Sequence, residues 1–468
     1  MENRDSPPKD TARADGALPQ RLRTNFGAGA MGMAIILNTM GGVFPPFMTN
    51  FLGIGAGAAA TLLLASKLYD MVTDPLMGVI SDRTTTRWGR RRPFLMLGGA
   101  ISAIGLALVF NPPAIADQAW LIAYVLGALL VTYTGYTVFN IPYMAMPAEM
   151  TRSYHERTTL MSHRVVFLNI GALIAVSAFA IVEWLGNDRA AHGTMGSAFA
   201  MLIFLGCAYC FFGTARARQT FQKQHAYSIG TQIRTAFRNR PLMLLLGAKF
   251  CQLLGVSLSS ATGVYFKVVI LGLSYRLTTL YLVTSSLVII AFIPLWNRAS
   301  RRHGKRLTYM AASACYALVT LTWLLATADD PLAYVFIRAV LLGICASGIL
   351  ILGAALLPDA VEYDYLKTGM RREGTLSSFY STVEKLAFAV GPALALYFLS
   401  WFGYQAGTEG MQIEQPQSAI IAIYIGAGLT PAALYGLSLL FLFRYDLSED
   451  RLKALRGRPP GSITEPSG

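Results

Sequence analysis

Long apolar runs alternate with short polar connections along most of the chain, and the runs are wide enough to cross a bilayer. At roughly 20 apolar residues per crossing, about twelve helices are predicted. The first six run approximately from Phe26 to Leu52, Thr61 to Ser81, Pro93 to Asn111, Ala119 to Pro142, Arg164 to Leu185 and Met195 to Ala215. The second six run from Pro241 to Leu271, Thr278 to Trp296, Leu307 to Ala326, Leu332 to Pro358, Leu376 to Phe402 and Ala419 to Phe443. The predicted fold class is therefore an all-α polytopic membrane protein of two six-helix halves, with both termini on one side.

One run breaks the apolar rule. In SKLYDMVTDPLMGVISDRTTTRWGRRRPF, Asp70 and Asp74 lie four residues apart, which places them on one face of a helix, a turn apart. Carboxylates at membrane depth cost a few kcal/mol or more each, and they face a bundle interior where a partner or an ion neutralises them. Pro75 has no N–H, so it releases the carbonyl of Met71 from its helical bond and leaves a spare oxygen beside the acids. Two carboxylates and free oxygens suit a small cation, held as a proton on one acid or as an alkali ion by several oxygens. The plainer reading is an acid paired with a basic residue of another helix.

Composition agrees with a membrane chain: of 468 residues 54% are hydrophobic and 14% charged. The formal charge of +14 is concentrated in alternate connections. Asp82 to Arg92 holds five arginines, and the stretches Arg216 to Arg240 and Arg298 to Arg306 are similarly basic, as is the smaller loop with Arg152 and Arg157. The positive-inside rule puts these loops and both termini in the cytoplasm. Membrane topology accounts for the charge, so nucleic acid is not an expected partner. The expected organisation is a cytoplasmic tail over 1–25, a six-helix bundle over 26–215, a central loop over 216–240, a second bundle over 241–444 and a tail over 445–468. All five cysteines fall in predicted spans, where the Cys207 and Cys210 pair reads as packing.

Other polar residues interrupt the spans. Thr137 and Asn140 are one turn apart before Pro142, and Arg164 is carried into apolar surroundings, where it would reach either the interface or a substrate. Lys249 and Gln252 sit some eight residues, or ~12 Å, inside their helix, too deep to snorkel. Glu384 and Lys385 are adjacent and project in different directions.

The ending SDRTTTRWGRRRPF has a counterpart, NRASRRHGKRLTY, at the corresponding place in the second half, each built around one glycine, Gly89 and Gly304. Such repetition is how transporters of the major facilitator type are built, with a substrate site at the interface of the halves. The second copy lacks the upstream acids, so a cation site would belong to the first half.

The segments KLYDMVTDPLMGVISDRTTTRWGRRRPF, NIPYMAMPAEMTRSYHERTTLMSHR and DAVEYDYLKTGMRREGTLSSFYSTVEK carry a resemblance over nearly the whole membrane region. The chain resembles the glycoside, pentoside and hexuronide cation symporters of melibiose permease type, within the major facilitator superfamily. The resemblance implies a coupling-cation site at Asp70 and Asp74, with Thr73 and Thr137 contributing oxygens, and puts the family's arginine of helix five and lysine of helix eleven on Arg164 and Lys385. It fails on the sugar side. The helix-one acid is replaced at Met33 and Ala34, the helix-four acid is Asn140, and the tryptophan platform is Met144.

The expected function is a cation-coupled symporter, driven by H⁺ or Na⁺, that imports a sugar or glycoside by alternating access. With Arg164, Lys249 and Lys385 present and two acids gone, a uronide or other carboxylated sugar fits the charge balance. The expected substrate set is Asn140, Met144, Arg164, Lys249, Gln252 and Lys385. Asp82, Arg83, Arg90, Arg91 and Arg92 would form charged locks between the halves on the cytoplasmic side, broken as it opens. No enzyme motif and no cofactor is expected, and the expected state is a monomer among lipids of a bacterial inner membrane. Two rivals remain: a carrier of lysolipids or another amphiphile on the same fold, and a sugar-binding receptor that does not transport.

Overall fold

The computed structural model describes residues 18–151, 154–215, 217, 239–368, 373–408, 413–447, 451, 452 and 454. The outer parts of both expected tails, most of the central loop and Arg152 lie outside the described residues.

Among the described residues, twelve long helices follow one another. The first six are α1 (Gln20–Asn50), α2 (Ala56–Arg83), α3 (Arg92–Phe110), α4 (Gln118–Met150), α5 (Tyr154–Val176, continued by Ala178–Trp184) and α6 (Arg189–Gly213). Then come α7 (Arg240–Ile270), α8 (Tyr275–His303), α9 (Lys305–Leu325), α10 (Leu332–Thr368), α11 (Glu373–Trp401) and α12 (Gln417–Arg444). Eleven of them are long and apolar enough to cross a membrane. Helix α2 is the twelfth, and Lys67, Asp70 and Asp74 interrupt its apolar run. The protein is an all-α polytopic membrane protein.

Local chemistry sets where several helices begin. Asp117, Asp188, Asn239 and Ser274 precede α4, α6, α7 and α8, and each accepts a hydrogen bond from a first-turn N–H, at 3.0, 2.6, 3.0 and 3.3 Å. These side chains satisfy donors that the helix itself leaves free. Pro93 and Pro241 follow at the opening of α3 and α7, where a missing N–H costs nothing.

The described residues form two compact units. One lies within Met1–Met40 and Ala65–Gln224, the other within Gly41–Leu64 and His225–Gly468. In the first, α3 packs along α4 and α6, and α1 along α5 and α6. A Cβ at Gly135 of α4 would collide with the Ser102 backbone of α3, so only glycine lets these two helices approach so closely.

In the second unit, α7 packs on α11 and α12, α8 on α10, and α9 on α10 and α12. Residues 41–64 are held in this unit by polar contacts. The Thr49 hydroxyl meets the Tyr265 hydroxyl at 2.9 Å, the Tyr404 hydroxyl donates to Asn50 at 3.1 Å, and the Gly407 N–H donates to the Thr49 carbonyl at 2.8 Å. The Thr61 and Tyr397 hydroxyls add a fourth contact at 2.9 Å. This grouping differs from the expected bundle boundaries, because hydroxyl pairing ties residues 41–64 to α7 and α11. It starts inside a π-helical turn of α1, Thr39–Val43.

Candidate functional site

Helix α2 is sorted by face. Leu68, Met71, Val72, Leu76, Val79 and Ile80 are exposed and apolar, as a lipid-facing surface requires, whereas Ser66, Asp70, Met77 and Ser81 are buried. The acids stand on the buried stripe because they recur at helical spacing with these small and apolar residues. Asp70 is only 7% exposed, and Asp74, one turn on, is half-buried.

Helix α4 meets this stripe in register. The Tyr69 and Thr134 hydroxyls lie 2.8 Å apart. Three residues further along α4, the Thr137 hydroxyl stands 2.7 Å from Asp70 Oδ1 and 3.2 Å from Asp74 Oδ1, its proton shared between them. Thr73 turns its proton back onto the carbonyls of Tyr69, at 3.1 Å, and Asp70, at 3.2 Å. Its lone pairs remain available as acceptors. The structure thus brings Asp70, Asp74 and Thr137 together, while the Thr73 hydroxyl bonds to backbone carbonyls of its own helix. The donor set is hard oxygen throughout, the chemistry of an alkali ion or a proton. Among the described residues no group of three or more His, Cys, Asp or Glu forms a transition-metal site.

Positive charge stands nearby. The Lys67 ammonium, one turn before Asp70, lies 4.2 Å from the centre of the Tyr133 ring, a cation–π perch. Tyr136 is within electrostatic reach of Asp70, Asp74 and Arg164. Arg164 Nε is buried with no hydrogen-bond partner among the described residues. On the same side of α4, Asn140 is buried and Met144 is 41% exposed. Met33 and Ala34, which replace the helix-one acid, are buried in the packing of α1.

In the second unit, Lys249 and Gln252 are both buried, at 3% and 1% exposure. The Gln252 amide donates to Ser313 at 3.0 Å and Ser438 at 3.2 Å, and its oxygen accepts from Tyr309 at 2.5 Å. Gln252 therefore ties α7 to α9 and α12. Lys385 is exposed on α11.

The basic turn after α2 is wired within the first unit. Arg90 and Arg91 both pair with Glu149 near the end of α4, the Arg91 Nε contact being 3.0 Å. Arg91 also pairs with Asp82 and donates to the Ser81 hydroxyl at 2.6 Å. Arg92 donates to the Phe211 carbonyl at 2.7 Å and lies over its ring. Arg83 is exposed. Sequence reasoning passed over Glu149 and Lys67. Each had a signal: Glu149 ends a membrane helix whose side of the bilayer is rich in arginine, and Lys67 is one turn from Asp70.

Comparison with known proteins follows the same line. The family model described as MFS/sugar transport protein matches residues 25–449. The chain is 31% identical over 447 residues to the uncharacterized symporter YnaJ of Bacillus subtilis, covering 92% of each chain. It is 27% identical over 443 residues to the putative glycoside/cation symporter YagG of Escherichia coli, covering 94% of each. Among solved structures, a mutant form of the nucleoside transporter NupG superposes with a TM-score of 0.61 at 13% identity, covering 91% of this chain and 98% of that one. At that identity the likeness concerns the fold alone. The chain itself belongs to the MFS/sugar transport family, the glycoside, pentoside and hexuronide cation symporters of the major facilitator superfamily, and is a transporter and not an enzyme.

Proposed function

We propose that the protein is a cation-coupled symporter that imports a sugar or glycoside by alternating access. The carrying observation is the meeting of two membrane-depth carboxylates with one hydroxyl, Asp70 and Asp74 around Thr137. Two like charges this close repel, and a bound cation removes the repulsion and the desolvation cost together. The cation so favours one conformation, and a substrate that prefers the same conformation is coupled to it by linkage. The oxygens of Asp70, Asp74, Thr73 and Thr137 suit a sodium ion, and one protonated carboxyl would serve a proton.

The substrate would be met by groups whose hydrogen-bonding capacity is unspent. Arg164 and Asn140 in the first unit answer that description, with Met144 offering an apolar face; within the second unit, Lys385 is the exposed cation of α11 and Lys249 is buried. Gln252 is spent inside its bundle and would act on substrate only by holding α7 in place. The pairs Arg90–Glu149, Arg91–Glu149 and Arg91–Asp82 all lie within the first unit, so in this structure they brace that unit's basic end and are not locks between the halves. Alternate basic connections support a cytoplasmic location for both termini, in a bacterial inner membrane.

The test is uptake into proteoliposomes of a radiolabelled panel of disaccharides, pentosides and uronides under imposed Na⁺ or H⁺ gradients. One gradient should drive accumulation, and Asp74→Asn should abolish accumulation above equilibrium. Uptake of a lysolipid with no sugar accumulated under either gradient would overturn the substrate class. A sugar bound but never moved would overturn transport itself.

A further inference from the structure

The first unit offers no carboxylate at the sugar-side positions Met33, Ala34 and Asn140, yet recognition of hydroxyls favours charged acceptors. The second unit holds one. Helices α7 and α11 run side by side and in the same direction. The Ser257 hydroxyl of α7 donates to the Ala387 carbonyl of α11 at 3.0 Å, and a Cβ at Gly391 would collide with that hydroxyl. Two turns earlier on α7, the Lys249 ammonium lies 5.5 Å from the centre of the Tyr380 ring. Glu384 is one turn beyond Tyr380 on the same face of α11, and Lys249 and Glu384 lie within electrostatic reach of each other.

The two ends of this pair differ in surroundings. Lys249 is buried behind the ring, against the closely packed Gly353 and Tyr309, whereas Glu384 is half-buried. No described residue donates a hydrogen bond to the Glu384 carboxylate, and the Lys249 ammonium makes none among them. The lysine attracts Glu384 without occupying its lone pairs. A carboxylate with free lone pairs, with a cation behind it, is an acceptor for a pair of sugar hydroxyls.

We propose that Glu384 is a substrate-binding residue that accepts the hydroxyls of an uncharged glycoside, and that Lys249 is its positioning residue. The inference rests on the sugar-symport reading and sharpens it. With Lys249 answered by Glu384, the charge surplus that favoured a carboxylated sugar is reduced, and a uronide would face a carboxylate of its own sign.

The experiment compares uptake kinetics of a methyl glycoside and the matching methyl uronide in wild type, Glu384→Gln and Lys249→Met, with thermal unfolding followed in detergent. Wild type should prefer the neutral sugar. Glu384→Gln should raise its KM about 10- to 100-fold, the range of a charge-assisted hydrogen bond, with maximal rate and apparent cation affinity little changed. It should also move the preference toward the uronide by about tenfold or more. Lys249→Met should raise KM in the same sense without displacing the cation dependence.

An unchanged KM and preference in Glu384→Gln would overturn the assignment while leaving symport intact. Equal losses for both sugars, accompanied by a fall in unfolding temperature, would overturn it in favour of a purely structural ion pair. A wild type that accumulates neither sugar, nor any glycoside of the wider panel, would overturn both this assignment and the symport reading.

Discussion

The turns after α2 and after α8 are two solutions to one problem. Each reverses the chain through a glycine at positive φ, Gly89 at 98° and Gly304 at 82°. Each then sends a cation to an acid on the helix two further on: Arg91 to Glu149 of α4, and Lys305 to Asp359 of α10 at 2.7 Å. The next residue caps the last helix of its own half. Arg92 donates to the Phe211 carbonyl of α6, and Arg306 donates to the Leu442 carbonyl of α12 at 3.0 Å. The repeat is therefore one of bonding pattern as well as of sequence. The copies differ in strength, because the first places two arginines around one largely buried acid, whereas Lys305 remains 40% exposed. Membrane-depth acids lie upstream of the stronger copy only.

Breaking the first copy should therefore cost more than breaking the second. Glu149→Gln removes the acid that Arg90 and Arg91 share, leaving Arg91 with Asp82, and should destabilise by about 2 to 3 kcal/mol, somewhat less than a fully buried pair. Thermal unfolding in detergent would measure it, and a loss no greater than that of Asp359→Asn would show the asymmetry to be without energetic content. Gly304→Ala should cost about 1 to 2 kcal/mol, since φ 82° with ψ 152° is open almost only to glycine. Nothing lies within 4 Å of an added Cβ there, so any loss reports backbone strain alone. Asp359→Asn should cost about 0.5 to 1 kcal/mol, the scale of a solvent-screened pair.

The smallest effect belongs to the polar connection before α10, where Arg338 donates to Asp330 at 2.9 Å. That hydrogen bond holds the Asp330 carboxyl below its usual range. A depressed folded value means stability that is present above the unfolded pKa, about 3.9, and lost as pH falls through the folded one. Arg338→Ala should therefore unfold slightly earlier than wild type at pH 7, and the two should converge below about pH 4. A gap that persists in acid would assign the effect to the stacking of Arg338 over Trp323 instead.

Local signals in the sequence anticipate much of this. Spacing alone puts Asp70 and Asp74 on one face, and the repeated glycine within a basic run marks the corresponding turns. Family resemblance adds Thr73 and Thr137. What escapes is pairing across long stretches of chain: Arg91 with Glu149, Lys249 with Tyr380, Gln252 with Ser313 and Ser438. Helix periodicity fixes the face of a residue but not the neighbour it meets, since that depends on which helices pack together and at what offset. Lys249 and Gln252 show the limit well. Both read as deep polar residues on one helix, yet one lies over the Tyr380 ring of α11 and the other is fully occupied between α9 and α12.

The charges of α2 also bear on how the chain reaches its membrane. An aspartate or lysine at the centre of a nascent span opposes insertion by about 2.5 to 3.5 kcal/mol, and Leu, Val and Ile each return only a fraction of that. With Lys67, Asp70 and Asp74 inside it, α2 is the span least able to enter lipid as an isolated segment. Thr137, which bonds both acids, lies downstream on α4 and is synthesised only after α3 is complete. Insertion of α2 is thereby linked to that of α4, whose Thr137 hydroxyl meets both acids.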